Sequence, residues 1–355
     1  MIRWKIGVEV ELVAPRGSSR RALAERLAGP GGSVRAFFHP QSELSLVPDT
    51  PVFENLTLGY EARDAAGALV GRFVDDVTLQ DDLDREAAPR DGWFRVVSDD
   101  ARLLQLVARV GRADAGPLEA VAEVARLFGT EPDVFPGGMV RVVDRNSAPI
   151  AIATPLPGER ERPCEIVTPP ISEDHAARLD ALLAPARALG FTLPAEAATH
   201  IHYDREALRD ARVFRDLVRL VAPWAEALKA LVGTNPRCRR LGPWPDDLHD
   251  VVEAPGFAAL AWPDARERLA ELQLTKYCDV NLKNVVHDVV DKPTIELRIL
   301  PGHATSRPIL EGAALFEGFL RGAIAGVSPE APSLRVLLER LPLDEPLRRC
   351  WLDRL

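Results

Sequence analysis

The sequence contains few cysteines and no pattern that would join them. Its 355 residues include 4 cysteines, which lie far apart and never form a Cys-x-x-Cys pair. This spacing argues against both a zinc knuckle and a disulfide framework as the basis of the fold. Isolated thiols of this kind fit a reducing compartment, and we expect a cytoplasmic protein.

Several other features that would indicate a function are absent. No apolar run approaches the roughly 20 residues of a membrane-spanning helix, and the first residues lack the basic and apolar regions of a secretory signal. We therefore expect no membrane partner. The formal net charge of -9 argues against general affinity for nucleic acid, which we also exclude as a partner. P-loop, GxSxG, GxGxxG and HExxH motifs are missing, so these common signatures give no indication of the reaction.

The composition is that of a soluble globular protein. Hydrophobic residues make up 46% and charged residues 27% of the chain, which is enough apolar material to form a large core. Strand and helix patterns occur in blocks without strict βαβ alternation, and this favours an α+β fold with a largely antiparallel sheet. We expect a main domain over residues 1–327, with a helical and loop excursion over about 205–275, and a C-terminal helical extension over 328–355.

Local patterns predict the connections. Ser18 or Ser19 can cap a short helix that the glycines of residues 29–32 would end. The acidic stretch from Val74 to Glu86 has the composition of a solvated loop between strands. Residues 233–262 are rich in proline and glycine and predict a long loop, which could form part of a substrate pocket or be a basic surface loop. Its candidate pocket residues are Arg237, Arg239 and Arg240.

The stretch WKIGVEVEL, residues 4–12, alternates apolar and polar residues almost without error. This period of two predicts a β-strand with one face on a core. Glu9 and Glu11 share the opposite face, about 7 Å apart at the rise of an extended chain. Taken alone, such a Glu-x-Glu pair is usually an exposed face.

The same alternation recurs in three further segments, HIHYD, TIELRIL and YCDVNLKN. Each has one apolar face and one face of ionisable or hydrogen-bonding side chains. The polar faces consist of His200 and His202; of Thr294, Glu296 and Arg298; and of Tyr277, Asp279, Asn281 and Lys283.

Paired carboxylates on one strand and paired imidazoles on another are unusual on a water-washed sheet. Their combination predicts a divalent metal site, and a carboxylate-rich set with imidazole suits Mg²⁺ or Mn²⁺. Glu165 in RPCEIVTPP is a further acid, either for this site or for capping a turn. Lys283 and Arg298 could hold phosphate or carboxylate groups, or balance the acids.

Five motifs in order, GVEVEL, CEIVTPP, THIHYD, YCDVNL and TIELRIL, resemble those of the amidoligase family, relatives of glutamine synthetase and glutamate-cysteine ligase. The resemblance implies an α+β fold in which a curved, largely antiparallel sheet, flanked by helices, forms a funnel-like active site. It also implies ATP and Mg²⁺ (or Mn²⁺) as cofactors. The reaction implied is the joining of a small-molecule or peptide carboxylate to an amine through an acyl phosphate.

The resemblance also implies roles for individual residues. Metal binding is implied for Glu9, Glu11, Glu165, His200 and Glu296. His202 and Arg298 match residues that face the transferred phosphate, so that both are catalytic and nucleotide-contacting. Asn281 and Tyr277 match nucleotide or substrate contacts, and Lys283 is a further catalytic candidate.

Two other functions fit parts of the pattern. His200, His202 and Asp204 also form a His-x-His-x-Asp motif, which is typical of some metal-dependent hydrolases. A non-catalytic binding module of the same fold is the second alternative. The sequence leaves open the identity of the acid and the amine, the general base and the oligomeric state.

Overall fold

The computed structural model describes residues 2–44, 52–238 and 240–355. Arg239, a candidate pocket residue, lies outside the described residues. Within them, no helix combines the length and the apolar character that crossing a membrane requires.

Strands and helices are mixed along the chain. The strands are β1 (Ile6–Val13), β2 (Ser33–Leu44), β3 (Val52–Arg63), β4 (Leu69–Val74), β5 (Phe94–Val97), β6 (Asp133–Val134), β7 (Val140–Val143), β8 (Pro149–Pro155), β9 (Pro163–Val167), β10 (Ala198–Asp204), β11 (Val280–Asn281) and β12 (Thr294–Pro301). The helices are α1 (Arg20–Ala28), α2 (Ala101–Val110), α3 (Pro117–Phe128), α4 (His175–Ala188), α5 (Ala211–Val221), α6 (Ala225–Val232), α7 (Asp246–Glu253), α8 (Trp262–Ala270), α9 (Lys283–Val286), α10 (Ser306–Ala325), α11 (Leu334–Arg340) and α12 (Glu345–Leu352).

The chain forms two compact units that are discontinuous in sequence. The first consists of Met1–Val10, Pro170–Leu183 and Glu196–Leu355. The second consists of Glu11–Pro169 and Ala184–Ala195. In each unit an open, antiparallel arrangement of strands is flanked by helices, which confirms the predicted α+β class.

The strands of the first unit lie in the order β11-β12-β10-β1. The predicted strand at the start of the chain is confirmed as β1, and its Ile6, Val8 and Val10 are each 1% exposed. Tyr203 of β10 is buried against α10, where its hydroxyl donates a hydrogen bond of 2.8 Å to the carbonyl of Ala313. Burial of such side chains contributes roughly 1.5–3 kcal/mol each, so the apolar faces of these strands anchor the polar faces opposite.

Helix α10 packs closely against the C-terminal leucines of the same unit. A Cβ added at Gly318 would lie 2.3 Å from Cδ2 of Leu343, and one at Gly322 would lie 2.7 Å from Cδ2 of Leu341. Both leucines are buried. The absence of side chains at these two positions therefore allows the segment after α11 to lie directly on the helix.

The strands of the second unit lie in the order β9-β4-β3-β5-β8-β7-β6, and β2 pairs along β3. Ser19 caps α1, as predicted, by accepting a hydrogen bond from the backbone N–H of Ala22. The next residue, Arg20, has no exposed side-chain surface. Its guanidinium donates to the carbonyls of Leu58 and Pro163 at 2.8 and 3.1 Å, and lies 4.5 Å from the centre of the Trp93 ring.

Two predicted loops are different in the structure. Within the acidic stretch Val74–Glu86, Asp75 and Asp76 are buried, because Arg160 binds the Asp75 carboxylate and the Asp76 carbonyl. The prediction of a solvated loop is therefore wrong for its first part. Residues 233–262 contain α7 and the start of α8, so the proline-rich composition reflects short helices with prolines near their starts.

Candidate active site

Neighbouring strands of the first unit place polar residues opposite one another. Glu9 on β1 pairs with His200 on β10. His202 pairs with Glu296 on β12, and Glu296 pairs on its other side with Asn281 on β11. Because alternate residues of a strand share a face, this register gathers side chains from four strands on one face.

A bulge lies beside this group. The β10–β12 pairing shifts register between Thr199 and Ile201. One residue of β10, His200, therefore opposes two residues of β12, Arg298 and Ile299. Such bulges are common beside active sites, where they redirect a side chain.

The Glu9 carboxylate lies between the two imidazoles. Its Oε1 is 3.0 Å from His202 Nε2, and its Oε2 is 3.3 Å from His200 Nδ1. Glu296 Oε1 is 3.7 Å from the same His200 nitrogen. One ligand atom each from Glu9, His202 and Glu296 lie within 4.8 Å of one another. Two carboxylates and an imidazole therefore converge on a space the size of a single ion.

Further side chains hold this group in place. Asn281 Nδ2 donates a 2.8 Å hydrogen bond to Glu296 Oε2, and the Arg298 guanidinium donates to Glu296 Oε1. His202 Nδ1 lies 3.0 Å from the Thr294 hydroxyl oxygen. Glu296 and His202 are thus each oriented by contacts with residues outside the group.

The polar faces of these strands are buried. Taken one at a time, the sequence patterns would instead be typical of faces that are open to water. Glu9 is 7%, Glu296 is 5%, His200 is 4% and His202 is 8% exposed. Carboxylates are rarely buried to this extent unless an opposite charge or a bound cation compensates them. The charges on the surrounding cations are therefore part of what makes this cluster stable.

The cluster shifts the pKa values of its members. Burial opposes the charged form of Glu9, but His202 and Lys292 outweigh it and hold the pKa of Glu9 well below its ordinary value. Burial likewise opposes ionisation of Glu296, but Arg298 and His202 lower its pKa to about 2. Burial by itself lowers the pKa of His202, yet Glu9 and Glu296 raise it overall.

Burial and the positive charge of Arg298 instead lower the pKa of His200. The pKa values of the two imidazoles are therefore shifted in opposite directions. His202 is favoured as a cation and His200 as a neutral ring, the form that binds metal ions.

Two residues beside the cluster have no role in the sequence-based prediction. Lys292 Nζ lies 3.6 Å from Glu9 Oε1. Thr294, which shares the face of Glu296, contacts His202. Positions 292, 294 and 296 have the same parity, so extending the alternation of TIELRIL by one step toward the N-terminus would have indicated Lys292.

The other predicted metal ligands belong to the second unit. Glu11 lies on β1 and is 4% exposed. Glu165 lies on β9, is half-buried and pairs with Val74 of β4. Their roles stay predictions.

The predicted strand YCDVNLKN is largely wrong. Only Val280 and Asn281 are extended, and Lys283 begins helix α9 with an exposed side chain. Asn281 is the reason, because its side-chain oxygen accepts a hydrogen bond from the Lys283 backbone N–H and starts the turn. Tyr277 precedes the strand, with its ring centre 5.5 Å from the Arg240 guanidinium.

The donor set fits a hard divalent cation. Carboxylate oxygens are the preferred ligands of Mg²⁺ and Mn²⁺, and bond lengths of about 2.0–2.6 Å would let one ion reach ligand atoms this close together. Glu9 and Glu296 supply two carboxylates within the first unit, and a histidine nitrogen lies beside them.

Comparison with known proteins places the chain in a family. A family model described as "Putative amidoligase enzyme" matches residues 2–316. Since the match covers most of the chain, the protein belongs to this family, and the resemblance found in the motifs is confirmed. Membership indicates an enzyme of the amide-bond ligase class acting on small molecules. A search of curated proteins found no match.

Proposed function

We propose that the protein is an ATP- and Mg²⁺-dependent carboxylate–amine ligase that forms an amide through an acyl phosphate. The observation that carries the proposal is the convergence of Glu9, His202 and Glu296 within 4.8 Å, beside Arg298, in a chain that belongs to the amidoligase family. Such a reaction needs acids to hold a cation and a fixed cation to face phosphate, and the cluster contains both. We also propose that the sheet forms a funnel-like active site of the glutamine synthetase type.

In this proposal Glu9 and Glu296 hold Mg²⁺ or Mn²⁺ with a histidine nitrogen, and Glu11 and Glu165 are further metal-binding acids. The cation, when bound, neutralises phosphate charge and makes the γ-phosphorus a better electrophile. His200, favoured as the neutral ring, is the better ligand of the two histidines, whereas the more basic His202 suits a position beside phosphate.

The first proposed step is attack by a substrate carboxylate oxygen on the γ-phosphorus of ATP. A new P–O bond forms, the bond to the β-phosphate oxygen breaks and ADP leaves. Arg298 contributes a fixed positive charge that stabilises the transferring phosphoryl group. In the second step the amine nitrogen attacks the acyl carbon, phosphate leaves and the amine loses a proton. The proposal retains Asn281 and Tyr277 as nucleotide or substrate contacts. It also retains Lys283 as a catalytic candidate.

The hydrolase alternative requires Asp204 as a third ligand beside His200 and His202. The Asp204 carboxylate is already engaged, since Lys5 Nζ lies 2.7 Å from its Oδ2 and the Glu206 backbone N–H donates to its Oδ1. The ligase hypothesis leaves these contacts in place, and we favour it for this reason.

A hydroxamate assay tests the proposal without knowledge of the natural amine. Protein, ATP and Mg²⁺ are incubated with hydroxylamine and a panel of amino acids and dicarboxylic acids, and hydroxamate and ADP are measured. We expect both products in equal amounts with at least one acid. With that acid labelled by ¹⁸O in the carboxylate, one labelled oxygen should appear in the released phosphate.

Glu9→Gln is the matched loss-of-function variant, and Glu317→Gln is its control. Glu317 is also a buried acid of the first unit, and it accepts hydrogen bonds from the backbone N–H groups of Arg3 and Trp4. We expect Glu9→Gln to abolish hydroxamate formation and Glu317→Gln to retain it. Release of AMP and pyrophosphate would contradict the acyl phosphate, and metal-dependent amide hydrolysis without nucleotide would support the hydrolase instead.

A further inference from the structure

A second polar site lies wholly within the second unit. A cavity of about 210 Å³ is bounded by β3, β5 and the segments after β4 and β8. Its charged lining residues are Asp75, Arg85, Arg95 and Arg160. Three guanidinium groups thus line a small cavity with a single carboxylate.

That carboxylate is already neutralised by its neighbours. Asp75 binds the guanidinium of Arg160, and its Oδ2 lies 3.9 Å from the buried guanidinium of Arg20. Arg160 is held in addition by the carbonyls of Leu79 and Asp76, at 2.6 and 2.8 Å. Arg85 Nη2 lies 4.0 Å from Asp81 Oδ1, in a pair whose acid is not part of the lining. Guanidinium groups therefore outnumber carboxylates in the lining, which favours a negatively charged occupant.

The buried wall adds one further hydrogen-bonding group. Thr57, on β3, lines the cavity and is 1% exposed. Its Oγ1 has no hydrogen-bond partner among the described residues. A buried hydroxyl without a partner is unfavourable by about 1–3 kcal/mol, so its retention beside arginines points to an acceptor that comes from a ligand.

We propose that this cavity binds an oxyanion, a phosphate or a carboxylate group, through Arg95, Arg85 and the Thr57 hydroxyl. Guanidinium groups match the planar and bidentate geometry of such oxygens, and a hydroxyl donates one further hydrogen bond to them. The inference is independent of the proposed ligase reaction, because binding requires neither ATP nor a metal ion.

Isothermal titration of the full-length protein tests the site, with sodium phosphate in one arm and sodium glutarate in the other. Sodium chloride at equal ionic strength is the blank. Saturable binding of phosphate, of glutarate or of both supports the site when Arg95→Gln weakens it, and the arm that binds identifies the class of ligand. Absence of saturable binding in both arms overturns it.

Three variants locate the binding. Arg95→Gln should weaken the affinity about tenfold or more, whereas Arg109→Gln, which removes an exposed arginine of α2 in the same unit, should leave it unchanged. Thr57→Val keeps the β-branched shape and should weaken binding about fivefold without lowering the unfolding midpoint of the ligand-free protein. Equal affinities of Arg95→Gln and Arg109→Gln would overturn the proposal, and this comparison holds even if Thr57→Val fails to fold.

Discussion

His202 Nδ1 lies 3.0 Å from the hydroxyl oxygen of Thr294, while the opposite nitrogen of the same ring lies 3.0 Å from Glu9. Both nitrogens are engaged, so the orientation of the imidazole is fixed from two neighbouring strands. Thr294 is therefore a positioning residue for the cluster.

Replacing Thr294 should loosen this arrangement without unfolding the protein. For Thr294→Val we expect hydroxamate formation to fall about 10–100-fold, because His202 would lose the contact that orients it beside phosphate. Mn²⁺ affinity should change little, because His200 is the proposed histidine ligand. Thr294→Ser keeps the hydroxyl and should restore most of the hydroxamate formation. Calorimetric titration with Mn²⁺ measures the affinity. If Thr294→Ser were as inactive as Thr294→Val, the shape of the side chain and not its hydrogen bond would determine the effect.

Glu296→Gln tests the metal proposal directly. The substitution removes a charged oxygen that lies close to Glu9 and His202, and we expect Mn²⁺ affinity to fall at least about 100-fold. Electron paramagnetic resonance of free Mn²⁺ measures the bound fraction. The control is Glu317→Gln, which should bind as the unchanged protein does. Equal binding by both variants would remove Glu296 from the set of ligands.

Arg20→Leu should strongly destabilise the protein. The guanidinium is fully buried, donates to backbone carbonyls and lies 3.9 Å from Asp75, so its removal leaves unpaired buried carbonyls and leaves Arg160 as the ion-pair partner of the buried Asp75. We expect a loss of about 3–5 kcal/mol in the free energy of unfolding, measured by urea denaturation. The adjacent Arg21 is exposed and pairs with Glu25, and Arg21→Gln should lose only about 0.3–0.5 kcal/mol.

Glu61→Gln should have an effect that depends on pH. Burial opposes ionisation of Glu61, but hydrogen bonds from Arg72 and Arg63 lower its pKa overall. A lowered pKa in the folded state means that the charged form adds stability above the ordinary pKa of about 4.3 and that this contribution is lost as the pH falls through the folded-state value.

We therefore expect Glu61→Gln to destabilise the protein by about 1–2 kcal/mol at pH 7. Urea denaturation between pH 7 and pH 3 should show the difference shrinking at the acidic end. Glu25→Gln, at an exposed ion pair, is the control and should change little over this range. A difference for Glu61→Gln that stays constant with pH would mean that its charge is not what stabilises β3.

Structural features that depend on residues close together in the chain could be predicted from the sequence. The alternation in WKIGVEVEL gave β1, and the serine before a helical pattern gave the cap at Ser19. Strand periodicity also predicts that His200 and His202 share one face of their strand and that Glu296 and Arg298 share one face of theirs, which indicates a common site. The predicted strand position of Lys283 is wrong because the short Asn281 side chain starts a turn, and alternation alone does not detect this.

Other features depend on contacts between distant segments. Nothing in the sequence around Arg20 distinguishes it from Arg21, yet one is fully buried and the other is exposed. The Thr57 hydroxyl is equally ordinary in the sequence. Its importance depends on Arg85, Arg95 and Arg160, which come from three other segments.

The matched family region ends at residue 316, inside helix α10, which continues to Ala325. The later part of that helix contains Gly318 and Gly322, whose bare surfaces are covered by Leu343 and Leu341. A protein shortened at the last matched residue would lose the second half of α10, including the buried residues Phe319 and Leu320, and the leucines that pack on it. The smallest soluble and active fragment should therefore reach beyond residue 343, so that the region recognised by similarity is shorter than the region needed to fold.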